Sequence, residues 1–308
     1  MSHLFNEHWW LDAAAPGDWG EAVVQQADRV VARLPWARER LAVPLVRLQC
    51  VGAPKLTPRL LPELDTGDGK PVTRLTREHQ LLDQLIEQLP GFDYLTFTFA
   101  SSFTNPLPFI WHGCDASVRI SYVLPDIADC EVVWSNMSES TRRAIRKGER
   151  ELEVVDDHDT ERLCRAVRQA FERQEKKLPF SPELLRRIHR AAASREAGQI
   201  LTAVDGRGRT HASLLLVWDD RRAYYLTGGA DPELRSSGAQ SLLLWEAIKR
   251  AAKTSASFDF EGSMTEGIAR FFRGFGAEPE RYLHVTAFSR RARAGKALVD
   301  LARAVRGT

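Results

Sequence analysis

Hydrophobic positions along the second half of the chain switch repeatedly between a helical period and a strand period. The helical pattern predicts helices over 141–150, 160–175 and 182–195, and strand patterns follow at 199–204, 211–218 and 223–227. Between the first two strands, Gly206-Arg207-Gly208 is a hairpin signal. After Thr227 come Gly228-Gly229, a polar turn from Asp231 to Gly238, an apolar helical stretch over 239–252, and a second strand over 257–261 that stops at Gly262. The run Ile268 to Arg273 then leads into Gly274-Phe275-Gly276.

The first part of the chain follows a looser pattern. Trp9 to Ala13 predicts a short helix, 30–36 and 45–48 predict half-buried strands, and 62–70, with Asp65, Gly67, Asp68 and Gly69, predicts an exposed loop. Residues 77–89 place Leu81, Leu82, Leu85, Ile86 and Leu89 on one helical stripe. Strands at 92–99 and 118–124 flank a polar loop that holds Asn105. The pattern divides the chain into an N-terminal α/β lobe over 1–129, a second α/β lobe over 130–289 and a basic tail over 290–308.

Composition narrows the class. Hydrophobic content of 44% and charged content of 27% are those of a soluble globular protein, and 308 residues suffice for a large core. The net charge of +2 hides a clustering of basic residues at 142–150 and in the tail. Cys50, Cys114, Cys130 and Cys164 show no metal-ligand spacing and no disulfide framework, so neither a metal site nor an oxidising compartment is expected. The first residues lack the pattern of a secretory signal, and no apolar run is long enough to cross a bilayer. These features predict a cytoplasmic protein without stable membrane insertion.

Several residues can carry chemistry. If the strand over 257–261 alternates regularly, Asp259 and Glu261 share one face, either as candidate bases or as partners of Arg270 or Arg273 in a structural ion pair. Tyr224 and Tyr225 point to opposite faces, so only one of them can line a cleft, the other reading of either being plain core; Tyr225 is the candidate proton donor. The segment Arg235-Ser236-Ser237-Gly238-Ala239 places a cation and a small-residue turn at a helix start, where free N–H groups and the helix dipole favour a phosphate. Gly228 and Gly229 either free an N–H for a donor carbonyl or form an ordinary turn. Arg142, Arg146 and Arg150, with Arg143 and Lys147 beside them, form a cationic helical stripe, either for a phosphate of a nucleotide, a coenzyme or RNA or, paired with Glu139, Glu149 and Glu151, as a solvated face. Arg173, Gln174 and Asn105 lie in loops or at a helix end, and His112 and His211 lack the partners of a nucleophilic triad.

The combination of Arg235-Ser-Ser-Gly238-Ala239, Asp259-Phe-Glu261-Gly262, Phe271-Phe272-Arg273-Gly-Phe-Gly276 and the basic Arg142-Arg143-Ala-Ile-Arg146-Lys147 resembles the GNAT acyltransferases, and among them the Fem-type branch. The resemblance covers roughly the second half of the chain. It implies an α/β fold of tandem GNAT-like lobes with mixed central sheets flanked by helices. It also implies an N-acyltransferase that moves an acyl group from an acyl-CoA or acyl-carrier thioester to the amine of a small metabolite or sugar nucleotide, with an acceptor pocket built from loops such as those of Asn105, Arg173 and Gln174. Aminoacyl transfer from a charged tRNA and non-catalytic binding on the same fold stay open. In GNAT proteins the position of Gln240 is usually a small residue, and a side chain there crowds close backbone approach to a pyrophosphate.

Overall fold

The computed structural model describes residues 3–40, 46–49, 62–172, 178, 180–262 and 264–293. By its internal contacts the chain forms two compact units. One comprises Met1–Ala53, Thr57–Arg119 and Tyr282–Thr308; the other comprises Pro54–Leu56 and Ile120–Arg281.

In the first unit, α1 (His8–Ala14) precedes a hairpin of β1 (Trp19–Gln26) and β2 (Arg29–Arg40). The hairpin turns through Ala27 and Asp28, both with positive φ. β2 also pairs with β3 (Val46–Gln49) and with the short β4 (Glu63–Leu64). Next come α2 (Pro71–Glu87), β5 (Tyr94–Thr98), α3 (Leu107–Trp111) and the start of β6 (Asp115–Leu124). β5 pairs in parallel with β3 and antiparallel with His284–Phe288 of the last strand. Leu81, Leu82 and Leu85 of α2 are buried with Phe97 and Phe99, which gives this unit its own core. The helix expected at 77–89 therefore begins earlier, at Pro71, whose missing N–H costs nothing in a first turn.

The second unit contains α4 (Cys130–Asn136), α5 (Glu139–Glu151), β7 (Leu152–Asp157), α6 (Thr160–Glu172), α7 (Pro182–Ala193), β8 (Gly198–Asp205), β9 (Thr210–Trp218), β10 (Arg222–Ala230), α8 (Ala239–Ala251), β11 (Ser257–Asp259), α9 (Glu266–Arg273) and the start of β12 (Glu278–Phe288). Side chains of Asp129, Ser138 and Ser181 accept hydrogen bonds from first-turn N–H groups and so start α4, α5 and α7. The sheet runs β6-β11-β10-β9-β8-β7, with β10 and β11 parallel and the other neighbours antiparallel. His211 to Val217 of β9 are all buried, as a strand covered on both faces requires. α8 is apolar nearly all round and packs in one cluster with Leu201, Leu214, Leu216, Ala223, Phe258 and Phe260. This is the expected α/β arrangement, a mixed sheet flanked by helices.

Two strand ends depart from the sequence pattern. β10 continues through Gly228 and Gly229 to Ala230, because both glycines remain paired with β9 opposite Leu214 and Ser213. β11 stops at Asp259, two residues short of the expected end.

Candidate functional site

β10 and β11 lie side by side for three pairs, Arg222 with Ser257, Ala223 with Phe258 and Tyr224 with Asp259. Beyond these, β10 runs on with β9 alone among the described residues, and its register shifts between Tyr225 and Thr227. The two parallel strands thus part, leaving a gap beside Tyr225 to Ala230.

At the far end of β10, Arg235–Ser237 form a single 3-10 turn, and Gly238, with φ 81°, starts α8. Gly238 itself has no side chain to cap this helix, and of the first-turn N–H groups that of Ala239 donates to Ser237 Oγ at 3.4 Å. Glycine is needed at 238 for two reasons: the left-handed conformation, and a Cβ that would stand 2.1 Å from the Ala144 carbonyl oxygen of α5. Gly148 meets Leu242 in the same way, its Cβ position 3.0 Å from the leucine Cβ. The basic helix is therefore pressed directly against the turn. From it, Lys147 Nζ donates to the Ser236 carbonyl at 2.7 Å.

The other basic candidates are placed differently. Arg142 donates to the carbonyls of Trp134 and Ser135 and to Glu139, while Arg146 lies over the Trp134 ring, 5.5 Å from its centre, and 3.8 Å from Glu139. Arg235 is exposed and makes no ion pair among the described residues. Asn105 belongs to the first unit, where it donates to Glu78 at 3.0 Å. Arg173 and Gln174 lie outside the described residues.

Ala223 and Tyr225 project toward the α8 cluster. The Tyr225 ring meets Phe272 edge-on at 6.2 Å, and burial pushes its phenol up to about 12 despite a hydrogen bond from Gln240. A Cβ on Gly228 would come within 2.8 Å of that ring, and one on Gly229 would stand 2.1 Å from the Ala166 carbonyl of α6. The glycine pair thus gives room to a side chain on one face and to a helix backbone on the other.

Asp259 sits on the opposite face. It is fully buried; its Oδ2 accepts from Arg222 at 3.3 Å and its Oδ1 from Ser121 at 2.6 Å. Arg222 in turn grips both oxygens of Glu280, at 2.6 and 3.1 Å. These carboxylates raise the guanidinium further above its usual range, although burial opposes them. The ion pair is therefore with Arg222; Arg270 instead pairs with Glu266. Regular alternation ends here: Glu261 takes φ 59° and Gly262 φ 55°, and the Glu261 N–H donates back to Asp259 Oδ1 at 2.8 Å. The expected sharing of one strand face by Asp259 and Glu261 is lost because their connection is a turn. The sequence pattern missed Arg222, Ser121 and Glu280, which are far apart along the chain; the alternation that puts Arg222 on the Tyr224 face was the available signal.

Residues 135–273 match the model of the acetyltransferase (GNAT) domain family. Over those residues the chain is similar to GNAT acetyltransferase domains, and its fold is similar to that of a Fem protein. FemX is similar over 91% of this chain and 92% of its own, at 11% identity and a TM-score of 0.64. A tandem GNAT protein from the clavulanic acid biosynthesis pathway is similar over 94% and 97%, at 13% identity and 0.52. L-PGS from Bacillus licheniformis is similar over 92% and 88%, at 13% identity and 0.51. No curated protein matches the chain significantly.

Proposed function

We propose that the chain transfers an acyl group from a thioester donor, such as an acyl-CoA, to the amine of a small metabolite or sugar nucleotide. The observation that carries this reading is the parting of β10 from β11 beside a helix start flanked by Arg235 and Lys147. The donor's phosphates lie at that helix start, and its acyl arm runs along the gap. Glu261 takes a proton from the acceptor ammonium, the amine nitrogen attacks the thioester carbonyl, and the new C–N bond replaces the C–S bond. Tyr225, held neutral by burial, supplies the proton that the departing thiolate takes up and is reprotonated by the second proton that the nitrogen sheds as the tetrahedral intermediate collapses, while Glu261 returns the first to solvent. We place the catalytic residues in the lobe from 130 to 289 and the reaction in the cytoplasm. No helix of the described residues is long and apolar enough to cross a membrane, and Cys114, Cys130 and Cys164 are free thiols.

Titration calorimetry with acetyl-coenzyme A tests the donor, and release of free coenzyme A in the presence of a primary-amine panel tests transfer. Binding that competes with inorganic pyrophosphate supports the reading. A second reading, aminoacyl transfer from charged tRNA, is supported by Gln240 in place of a small residue and by the cationic helix. Retention of RNA that falls steeply with salt, with no binding of acetyl-coenzyme A, would put this second reading first.

A further inference from the structure

The residue at the closed end of the gap, Asp259, has the setting of a clamp and not of a proton acceptor. All of its side chain is buried, and both oxygens are engaged: Oδ2 by Arg222, Oδ1 by Ser121 and by the Glu261 N–H. Arg222 is itself fixed by its two-pronged pair with Glu280, and its Nε reaches Ser257 Oγ at 3.3 Å. The network thus ties the starts of β10 and β12 to β11 and β6, and directs one carboxylate oxygen at the backbone of the turn that follows.

That turn is costly to form. Glu261 is one of only four residues other than glycine with positive φ among those described, and the left-handed conformation brings the Cβ of an ordinary residue too close to the following carbonyl oxygen. Gly262 follows in the same conformation, and its backbone is packed so closely on β6 that a Cβ would stand 2.6 Å from the Ile120 carbonyl oxygen. A strained residue directly after a strand end persists only where its surroundings hold it there. The acceptor for the Glu261 N–H, supplied by a carboxylate that cannot itself move, is such a hold.

We infer that Asp259 is a positioning residue: it fixes the left-handed turn at Glu261–Gly262 and through it the placement of the Glu261 carboxylate for proton transfer. This rests on the reading of Glu261 as the base. The turn itself needs an acceptor oxygen at Oδ1 and not a negative charge. Asp259→Asn keeps that oxygen for Ser121 and Glu261, while Asp259→Ala removes it.

Amide hydrogen exchange at Glu261, followed by NMR on the full chain, tests the clamp without any substrate. Exchange in Asp259→Ala should be faster by about tenfold or more, since a lost hydrogen bond to a charged group is worth roughly 1.5–3 kcal/mol, and Asp259→Asn should restore most of the protection. With acetyl-coenzyme A and the amine panel as probes, Asp259→Ala should lose about tenfold in kcat with little change in KM, and Asp259→Asn should recover it. Unchanged exchange in Asp259→Ala overturns the inference. So does an Asp259→Asn that is as damaged as the alanine variant in both readouts, because the charge and not the acceptor is then what matters. Glu261→Gln separates the two levels: full turnover in that variant removes the base, and with it the catalytic part of the inference, while the exchange result still decides whether the clamp exists. If Asp259→Ala does not fold, Ser121→Ala, which loosens the same oxygen from the other side, gives the exchange measurement, and unaltered exchange there overturns the inference.

Discussion

Gln240 donates a hydrogen bond from Nε2 to the Tyr225 hydroxyl at 3.2 Å, joining the first turn of α8 to the strand that borders the gap. The side chain that replaces a small residue at this helix start is thus folded back onto a strand tyrosine. Donation to the phenol oxygen favours the phenolate, so this bond lowers a phenol that burial raises to about 12. Gln240→Leu should raise it further, and a tyrosinate absorbance titration against Tyr225→Phe reads the change; an unchanged or lower value contradicts the assignment.

The same phenol predicts a stability slope. A tyrosine whose folded pKa is raised contributes stability that is complete below the unfolded value of about 10 and is lost as pH rises through the folded value of about 12. Melting temperatures measured across that window should fall more for the parent chain than for Tyr225→Phe. Parallel curves would mean that the phenol is not buried as described.

Gly238→Ala should destabilise the chain by about 2 kcal/mol or more, because it combines a left-handed residue with a side chain driven into the Ala144 carbonyl. Denaturant unfolding measures it. Gly206→Ala, at a position with nothing within 4 Å, is the control and should change stability little.

Arg235→Ala should weaken acetyl-coenzyme A binding by roughly 1.5–3 kcal/mol if the guanidinium contacts phosphate. Lys147→Ala acts on the same turn through the Ser236 carbonyl and should weaken binding as well. Arg146→Ala, whose guanidinium lies over Trp134, should leave donor affinity nearly unchanged. Calorimetry on the three variants checks the order.

Away from the site, Asp205 accepts from the backbone N–H groups of Arg207 and Arg209 and from the Arg209 and His211 side chains. The Arg209 backbone bond first, then the Arg209 and His211 side chains, hold its carboxyl far below the usual range. A depressed carboxyl contributes stability above its unfolded value of 3.8 and loses it as pH falls toward the folded value. Asp205→Asn should therefore be less stable than the parent chain at neutral pH, and the difference should shrink as pH falls below about 4. A difference that does not depend on pH would mean that hydrogen-bond geometry, and not charge, holds the β8–β9 turn.

The segment from Ala223 onward was legible because local signals agree there: β-formers give way to a glycine-bearing turn, and an apolar helix and a second strand follow. The helices at 139–151 and 182–193 were legible from their helical period, though the capping serines that start them, Ser138 and Ser181, were not used to place their first turns. β1 was not, because its hairpin turns through Ala27-Asp28 where a turn signal would carry Asn or Gly. Nor was the partner of Asp259. Arg270 and Arg273 are close in sequence, but Arg222 is brought to it by strand pairing, a contact that no local pattern encodes. The left-handed Glu261 was invisible for the opposite reason: the strand pattern was strong, and tertiary bonding overrode it.

The contact of Gly238 with Ala144 bears on how the protein can be cut. A fragment beginning at Leu152 would retain β7 to β11, together with α8 and its turn, and would look complete as a sheet with flanking helices. It would lack α5, the surface on which Gly238 lies and the source of Lys147. Any minimal piece meant to keep the helix start of α8 in shape must therefore begin upstream of Ser138, so that a helix some ninety residues earlier in the chain travels with it.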